Sequence, residues 1–276
     1  MIERTARAKL NLALHVRGKR ADGYHAIETL FAFAEFGDVL RVEQADTPRF
    51  TLTGPFGSAL AGEGDNLVLR AERAFRKQIA PLPPLAITLD KRLPVASGIG
   101  GGSADAAAML SACAELAGVP DQDARIFAIA EALGSDVPAC LFGRSAVGTG
   151  RGEALVAIAG AGGTPVLLVN PGVPVATAGV FARWDGFDRG PIAPGALIDA
   201  ALASRNDLEA PARAIAPVID DVLALLSEQP GAFLTRMSGS DATCFALFTD
   251  SRQCSAARRR VAGVQPGWWC LETALA

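Results

Sequence analysis

Histidine and closely paired cysteine are scarce in this sequence, and each scarcity removes a class of chemistry. Only His15 and His25 occur in 276 residues. A multi-histidine metal centre is therefore excluded, neither ring stands in an obvious catalytic-base pattern, and a structural role is the plainer reading of both. The five cysteines, Cys113, Cys140, Cys244, Cys254 and Cys270, are odd in number and widely spaced, without the close pairs of zinc or redox sites. They read as buried, reduced thiols of a cytoplasmic protein. No apolar run approaches the ~18 residues of a membrane span. Glu3, Arg4, Arg7 and Lys9 precede any sustained apolar stretch, which fits neither a secretory leader nor an anchor. The formal net charge is only -3, and the short run Arg258-Arg259-Arg260 reads as a solvated helix face rather than a nucleic-acid patch. Neither nucleic acid nor membrane is an expected partner.

What is present suits a globular chain: half the residues are apolar, enough to bury a sizeable core in two modest domains or one large one. Ala8, Leu10, Leu12 and Leu14 alternate with Lys9, Asn11 and Ala13 as in a half-buried strand, which points Lys9 and Asn11 the same way. A turn-rich loop, Arg17 to Gly23, leads through Tyr24 and His25 to an expected turn at Phe36-Gly37-Asp38. Strands are predicted at Val39 to Glu43, Phe50 to Thr53 and Leu85 to Asp90, and Asp65-Asn66 reads as a helix start. Helices are predicted over Asp105 to Ala117, stopped by Gly118 and Pro120, and from Asp121 or Asp123 to Leu133. Glycines at 148–152 and 160–163 suggest a domain boundary. Beyond them come a buried strand at Val166 to Val169, helices at Ala196 to Ala203 and Pro217 to Leu226, and a strand at Phe245 to Phe248. Mixed elements without a repeat period indicate an α/β or α+β chain of two halves.

The densest chemistry is one loop between a predicted strand and a predicted helix: Pro94, Val95, Ala96, Ser97, Gly98, Ile99, Gly100, Gly101, Gly102, Ser103 and Ala104. Glycines and small serines let backbone N–H groups converge on an anion, and a helix start adds the favourable end of its dipole. The same glycines could instead serve only a tight turn. No Gly-Lys-Ser/Thr closes the loop as in a Walker A sequence, Ser103 stands where the dinucleotide fingerprint has its third glycine, and no Gly-x-Ser-x-Gly elbow occurs. If phosphates bind here, phosphoryl transfer also requires a carboxylate near the attacking hydroxyl. Asp136, in Gly134-Ser135-Asp136-Val137-Pro138, is the best placed, although an Asp before a Pro-containing first turn also suits an ordinary N-cap. Lys9 on its apolar strand either enters a pocket or snorkels to water, and spacing alone favours the latter.

Together, Ala8-Lys9-Leu10-Asn11-Leu12, the loop from Pro94 to Asp105, Gly134 to Pro138, and Arg236-Met237-Ser238-Gly239-Ser240 resemble the ordered motifs of the GHMP small-molecule kinases over nearly the whole chain. Arg20-Ala21-Asp22-Gly23-Tyr24-His25 and Asp90-Lys91-Arg92-Leu93-Pro94 resemble the branch acting on cytidine-diphosphate methylerythritol in non-mevalonate isoprenoid synthesis. The resemblance implies a two-domain α+β fold, residues 1–152 and 153–276, with the active site in the interdomain cleft. It implies ATP and Mg²⁺, the phosphates lying over Gly98 to Ser103 with Asn66 and Lys91 as neighbours of the nucleotide. Asp136 takes the position of the catalytic aspartate that orients or deprotonates the acceptor's 2-hydroxyl. Lys9 takes that of the catalytic lysine, countering negative charge on Asp136 and on the transferring group, which reverses the reading from spacing alone. Tyr24 and Phe181 match the aromatic pair that sandwiches cytosine; His25 and Asn11 match polar substrate contacts, and Thr177 a diphosphate contact.

Two positions depart from the pattern. Asp241 stands where glycine is usual after the third motif, adding a possible negative charge near the phosphates. Ala96-Ser97 replaces a pair that is often glycine or alanine followed by glycine. Two other readings stay open: a kinase of homoserine or another small alcohol, against which the Tyr24 and Phe181 pair argues, and a nucleotide-binding module without catalysis. Oligomeric state and metal ligands are not legible.

Overall fold

The computed structural model describes residues 1–60 and 66–276, so Asp65 of the expected helix start lies outside the described residues. Two compact units interleave along the chain: one comprises Met1–Lys9, Phe36–Val95 and Gly100–Gly143, the other Leu10–Glu35, Ala96–Ile99 and Arg144–Ala276. Two long strands, β1 (Ile2–Lys19) and β2 (His25–Gln44), each contribute residues to both units. The expected partition at Gly152 divides the chain once, whereas the compact units exchange segments several times; Gly148 and Gly150 lie within a strand of the second unit.

In the first unit, β3 (Arg49–Thr53) runs parallel to β4 (Leu85–Asp90), and β4 pairs antiparallel with the end of β2, from Val39↔Asp90 to Gln44↔Leu85. On this sheet lie α1 (Leu67–Gln78), α2 (Gly101–Ala117), α3 (Ala124–Leu133) and α4 (Val137–Phe142), sharing a core with Leu40, Phe75, Leu89, Met109 and Ile126. Asn66 caps α1 by accepting the Val68 N–H at 2.8 Å, satisfying one of the helix's unpaired donors. Helix α2 starts four residues before the expected Asp105, because Gly100 takes a left-handed conformation (φ 67°) that turns the chain straight into the helix. Ala, Met, Leu and Cys cover every side of α2, the pattern of a helix buried all round, and Gly118, also left-handed, ends it.

The expected turn at Phe36-Gly37-Asp38 is absent: β2 continues through it as strand. Gly37 serves close approach instead, since a Cβ there would collide with the Ala6 carbonyl group.

In the second unit, β2 pairs antiparallel with β5 (Ala146–Gly150), from Ile27↔Gly150 to Phe31↔Ala146, and β5 with β6 (Ala154–Ala157). Gly148 leaves room for the Phe31 ring, 2.6 Å from where its Cβ would be. A separate antiparallel sheet has the order β10 (Trp269–Ala274), β7 (Pro165–Asn170), β9 (Cys244–Phe248), β8 (Ala232–Met237). The continuous apolar runs of β7 and β9 are fully buried, as central strands require. The helices are α5 (Thr177–Ala182), α6 (Leu197–Leu202), α7 (Glu209–Ile215), α8 (Val218–Ser227) and α9 (Ser251–Val264). Asp250 caps α9, whose Arg258, Arg259 and Arg260 are exposed, the solvated face expected of them. All five cysteines are free thiols. Among the described residues, no helix is long and apolar enough to cross a membrane.

Gly37→Ala would drive a methyl group into backbone rather than a movable side chain. It is expected to destabilise the protein by about 2 kcal/mol or more, measurable as a lower urea midpoint with unchanged slope.

Candidate active site

The second half of the glycine loop belongs to the first unit and is assembled around the start of α2. Gly100, the N-cap, offers no capping side chain, so the first N–H groups of α2 have no intrahelical partner; the first helical bond runs from Ala104 N–H to the Gly100 carbonyl. A Cβ on Gly100 would lie 3.2 Å from both Cβ and Cε of Lys9 and 3.8 Å from Cys140 Sγ. The missing side chain is therefore the space Lys9 occupies. Lys9 is 3% exposed, and its ammonium lies 3.0 Å from the Asp136 carboxylate, which is 37% exposed. Asp136 does occupy the N-cap position of α4, yet its side chain makes no capping hydrogen bond and turns to Lys9. Lys9 is thus held buried against the loop while Asp136 keeps access to solvent, so the pair is screened on the carboxylate's side.

Lys91 sits on the other side of the same helix start. Its ammonium is sealed from solvent, 2.5 Å from Asp38 and 2.7 Å from Asp105, and 3.0 Å from where a Gly101 Cβ would project. The family resemblance implied Lys91 as a neighbour of the nucleotide; the structure pairs its charge with these two carboxylates. Asn66, the other expected neighbour, is engaged by its carbonyl oxygen in capping α1.

The first half of the loop, Ala96–Ile99, belongs to the second unit. Ala96 holds φ 51°, a left-handed conformation costing about 1 kcal/mol in a residue with a Cβ. Glycine would be free of that cost. The third motif grips this stretch: the Thr243 hydroxyl donates to the Ser97 carbonyl, and Thr243 in turn accepts from the Asn170 amide at 2.8 Å. Asp241 is only 8% exposed, accepts the Ala242 N–H at 2.7 Å, and fills with its Cβ the space a side chain on Gly98 would need. Burial raises its carboxyl to about 6.

Asn11 is buried, with its amide nitrogen donating to the Thr29 hydroxyl at 2.8 Å and its oxygen 3.1 Å from where a Gly239 Cβ would be. Its backbone N–H donates to Ser238 Oγ at 3.1 Å. His25 stacks on Phe181 with centroids 5.0 Å apart, and Trp184 meets His25 edge-on at 5.7 Å. Burial first, and then the charge of Lys19, lower the His25 pKa, so the ring is neutral at neutral pH. Tyr24 is 57% exposed and lies under the Arg151 guanidinium, 5.3 Å from its centroid, so the ring contacts join Phe181 to His25 rather than to Tyr24. The Thr177 hydroxyl, one turn before Phe181 on α5, accepts from Ser240 at 3.1 Å. His15 has a structural place, bonded to the Gly190 carbonyl and the Arg205 N–H.

Sequence reasoning missed Thr243, Asn170 and Asn206, whose amide donates to the Met237 and Gly239 carbonyls at 2.8 and 2.7 Å. Asn170 and Thr243 each carry only the signal of a lone polar residue beside an apolar strand, and Asn206 that of one polar residue in a polar loop, both too common to single out. Free N–H groups, glycines without Cβ and a buried lysine fit a polyphosphate. Among the described residues, no group of three or more His, Cys, Asp or Glu could hold a metal.

The family descriptions "GHMP kinases N terminal domain" and "GHMP kinases C terminal" match residues 66–144 and 192–265. A 4-diphosphocytidyl-2-C-methyl-D-erythritol kinase of Rhizorhabdus wittichii is 54% identical over 274 residues, 98% of this chain and 93% of that one. One of the same description from Sphingopyxis alaskensis is 49% identical, covering 98% of this chain and 97% of that one. A solved structure of 4-(cytidine 5'-diphospho)-2C-methyl-D-erythritol kinase is 34% identical, with a TM-score of 0.82 over 100% of this chain and 99% of that one.

Gly100→Ala would combine a strained left-handed alanine with a methyl group against Lys9. Inorganic tripolyphosphate, titrated calorimetrically, is expected to bind the variant about tenfold more weakly.

Proposed function

This chain belongs to the GHMP kinase family, and from that premise we propose that it transfers the γ-phosphate of ATP to the 2-hydroxyl of 4-diphosphocytidyl-2-C-methyl-D-erythritol. The observation that carries this reading is the Lys9–Asp136 pair at 3.0 Å, packed against Gly100 at the start of α2. Near-full-length identity to kinases described by that substrate supports the choice of acceptor.

Backbone N–H groups from Gly98 to Ser103 would bind the donor phosphates, within the loop from Pro94 to Ala104 and with Asn66 alongside; Lys91 would act from behind α2. Mg²⁺, when bound with the donor over the Gly98 to Ser103 loop, would supply positive charge against the negative charge that builds during transfer. Asp136 would accept or orient the proton of the 2-hydroxyl, whose oxygen bonds to the γ-phosphorus as the bond to the β,γ-bridging oxygen breaks and ADP leaves. Lys9 would steady that carboxylate and the transferring group. Tyr24 and Phe181 would take the cytosine by their faces, His25 and Asn11 would supply polar contacts, and the Thr177 hydroxyl would approach the diphosphate. Such an enzyme would work in the cytoplasm on a small molecule, needing neither nucleic acid nor membrane.

Purified protein with this acceptor and ATP should release ADP in a coupled assay; silence beside active controls would refute the proposal. Asp136→Asn is expected to cut kcat about 10²-fold or more while ATP affinity stays within about threefold. Tyr24→Ala is expected to raise the acceptor KM about tenfold, with the KM for ATP unchanged; equal changes in both would count against the assignment.

A further inference from the structure

Phosphoryl transfer as described gives no part to Asp38 and Asp105, the two carboxylates that hold Lys91 behind α2. Three charged side chains, Asp38, Lys91 and Asp105, are sealed together inside the first unit. A lone ammonium serves both carboxylates, at 2.5 Å and 2.7 Å. The two acids are not equivalent. Asp38 Oδ1 also accepts the Arg92 and Leu93 N–H groups at 2.5 and 2.8 Å, so its negative charge is supported from several directions. Asp105 Oδ2 receives Lys91 and has Asp38 beside it, while its Oδ1 is buried with no hydrogen-bond partner among the described residues. An ionised carboxylate with an orphaned oxygen in such surroundings is costly; a neutral acid is much less so.

The cluster's position is equally specific. Asp38 lies on β2, Lys91 directly follows β4, and Asp105 lies on α2, so the three tie those elements together where α2 begins. Lys91 Nζ would be 3.0 Å and Asp38 Oδ2 3.6 Å from a Cβ on Gly101, the first residue of α2. We propose that Asp38, Lys91 and Asp105 form a charge-balanced brace, Asp105 carrying its proton, which holds the start of α2 in the geometry that receives the donor's phosphates. Lys91 and Asp105 are thus positioning residues that act through Gly101 without touching the nucleotide. The inference rests on the reading of this helix start as the donor site.

A proton on Asp105 leaves the cluster neutral; its loss would set a net negative charge behind a site built for a polyanion. The charged groups facing Asp105 are Lys91 and Asp38, and the nearby Cys140 thiol stays neutral because burial raises it. Desolvation dominates at Asp105, opposed by Lys91 and reinforced by Asp38, and lifts the carboxyl to about 8. Raised above the ordinary carboxylate value, it stays protonated at neutral pH and ionises only as pH climbs through that value. Donor affinity should therefore fall on the alkaline side.

The test is calorimetric titration of the whole protein with AMP-PNP and Mg²⁺ from pH 7 to 9. Wild-type affinity is expected to weaken about tenfold across that range, while Asp105→Asn, which cannot ionise, removes that decline. Lys91→Met alone could fail to fold by stranding Asp38, so the uncharged triple variant D38N/K91M/D105N accompanies it. That variant is expected to bind AMP-PNP about tenfold more weakly at pH 7 with acceptor affinity unchanged. Coincident pH profiles for wild type and D105N overturn the brace, as does a triple variant with wild-type donor affinity or one that loses donor and acceptor affinity equally. Wild-type protein that binds no AMP-PNP overturns the donor-site reading as well, which separates the two failures.

Discussion

The chemistry proposed for this protein depends on a helix that begins without a cap. For the first N–H groups of α2 to stay available to a ligand, no side chain can satisfy them, so the chain must turn into the helix through a residue that tolerates left-handed φ and has no Cβ. Gly100 does this. Each neighbouring glycine answers to a different part of the sequence: Gly98 to Asp241, Gly100 to Lys9, and Gly101 to Lys91. The glycines are therefore specified by contact as much as by conformation. A merely flexible loop would show no such matching of each missing side chain to a particular neighbour.

Much of this was legible before any coordinates. The loop's place between a strand and a helix, and the C-terminal stop of that helix at Gly118, could be read because glycine conformation and apolar periodicity are local properties, whereas the start of α2 was read four residues late. Strand β4 and the capping role of Asn66 follow from such local signals. Lys9 could not be read that way. Its spacing suited a snorkelling lysine, and only the resemblance placed it opposite Asp136, because a contact between residues so far apart in sequence leaves no periodic trace. Gly37 failed for a related reason: Phe-Gly-Asp has turn composition, but the glycine answers to Ala6 crossing it rather than to its own neighbours. Thr243 and Asn170 were invisible because their hydroxyl and amide matter only through the buried carbonyl and hydroxyl they meet.

On the proposed donor-site reading, the carboxylates show how a polyanion site could be built in a slightly acidic chain. Negative charge near the loop would oppose phosphate, yet Asp38, Asp105, Asp136 and Asp241 all stand close to residues that contact it in their own units. Their charges are handled by different means. Asp136 has Lys9 at 3.0 Å, and Asp38 has Lys91 and two backbone N–H groups. Asp105 and Asp241 have too little cationic support for their burial, and both are pushed upward, to about 8 and about 6. That difference separates them at neutral pH: Asp105 keeps its proton, whereas Asp241 is mostly ionised and leans on the Ala242 N–H alone. Asp241, which departs from the family's usual glycine, is therefore the carboxylate whose charge remains least compensated. Its oxygen is bonded to its own loop, so the charge is directed into the third motif and its repulsion toward the donor is reduced though not removed.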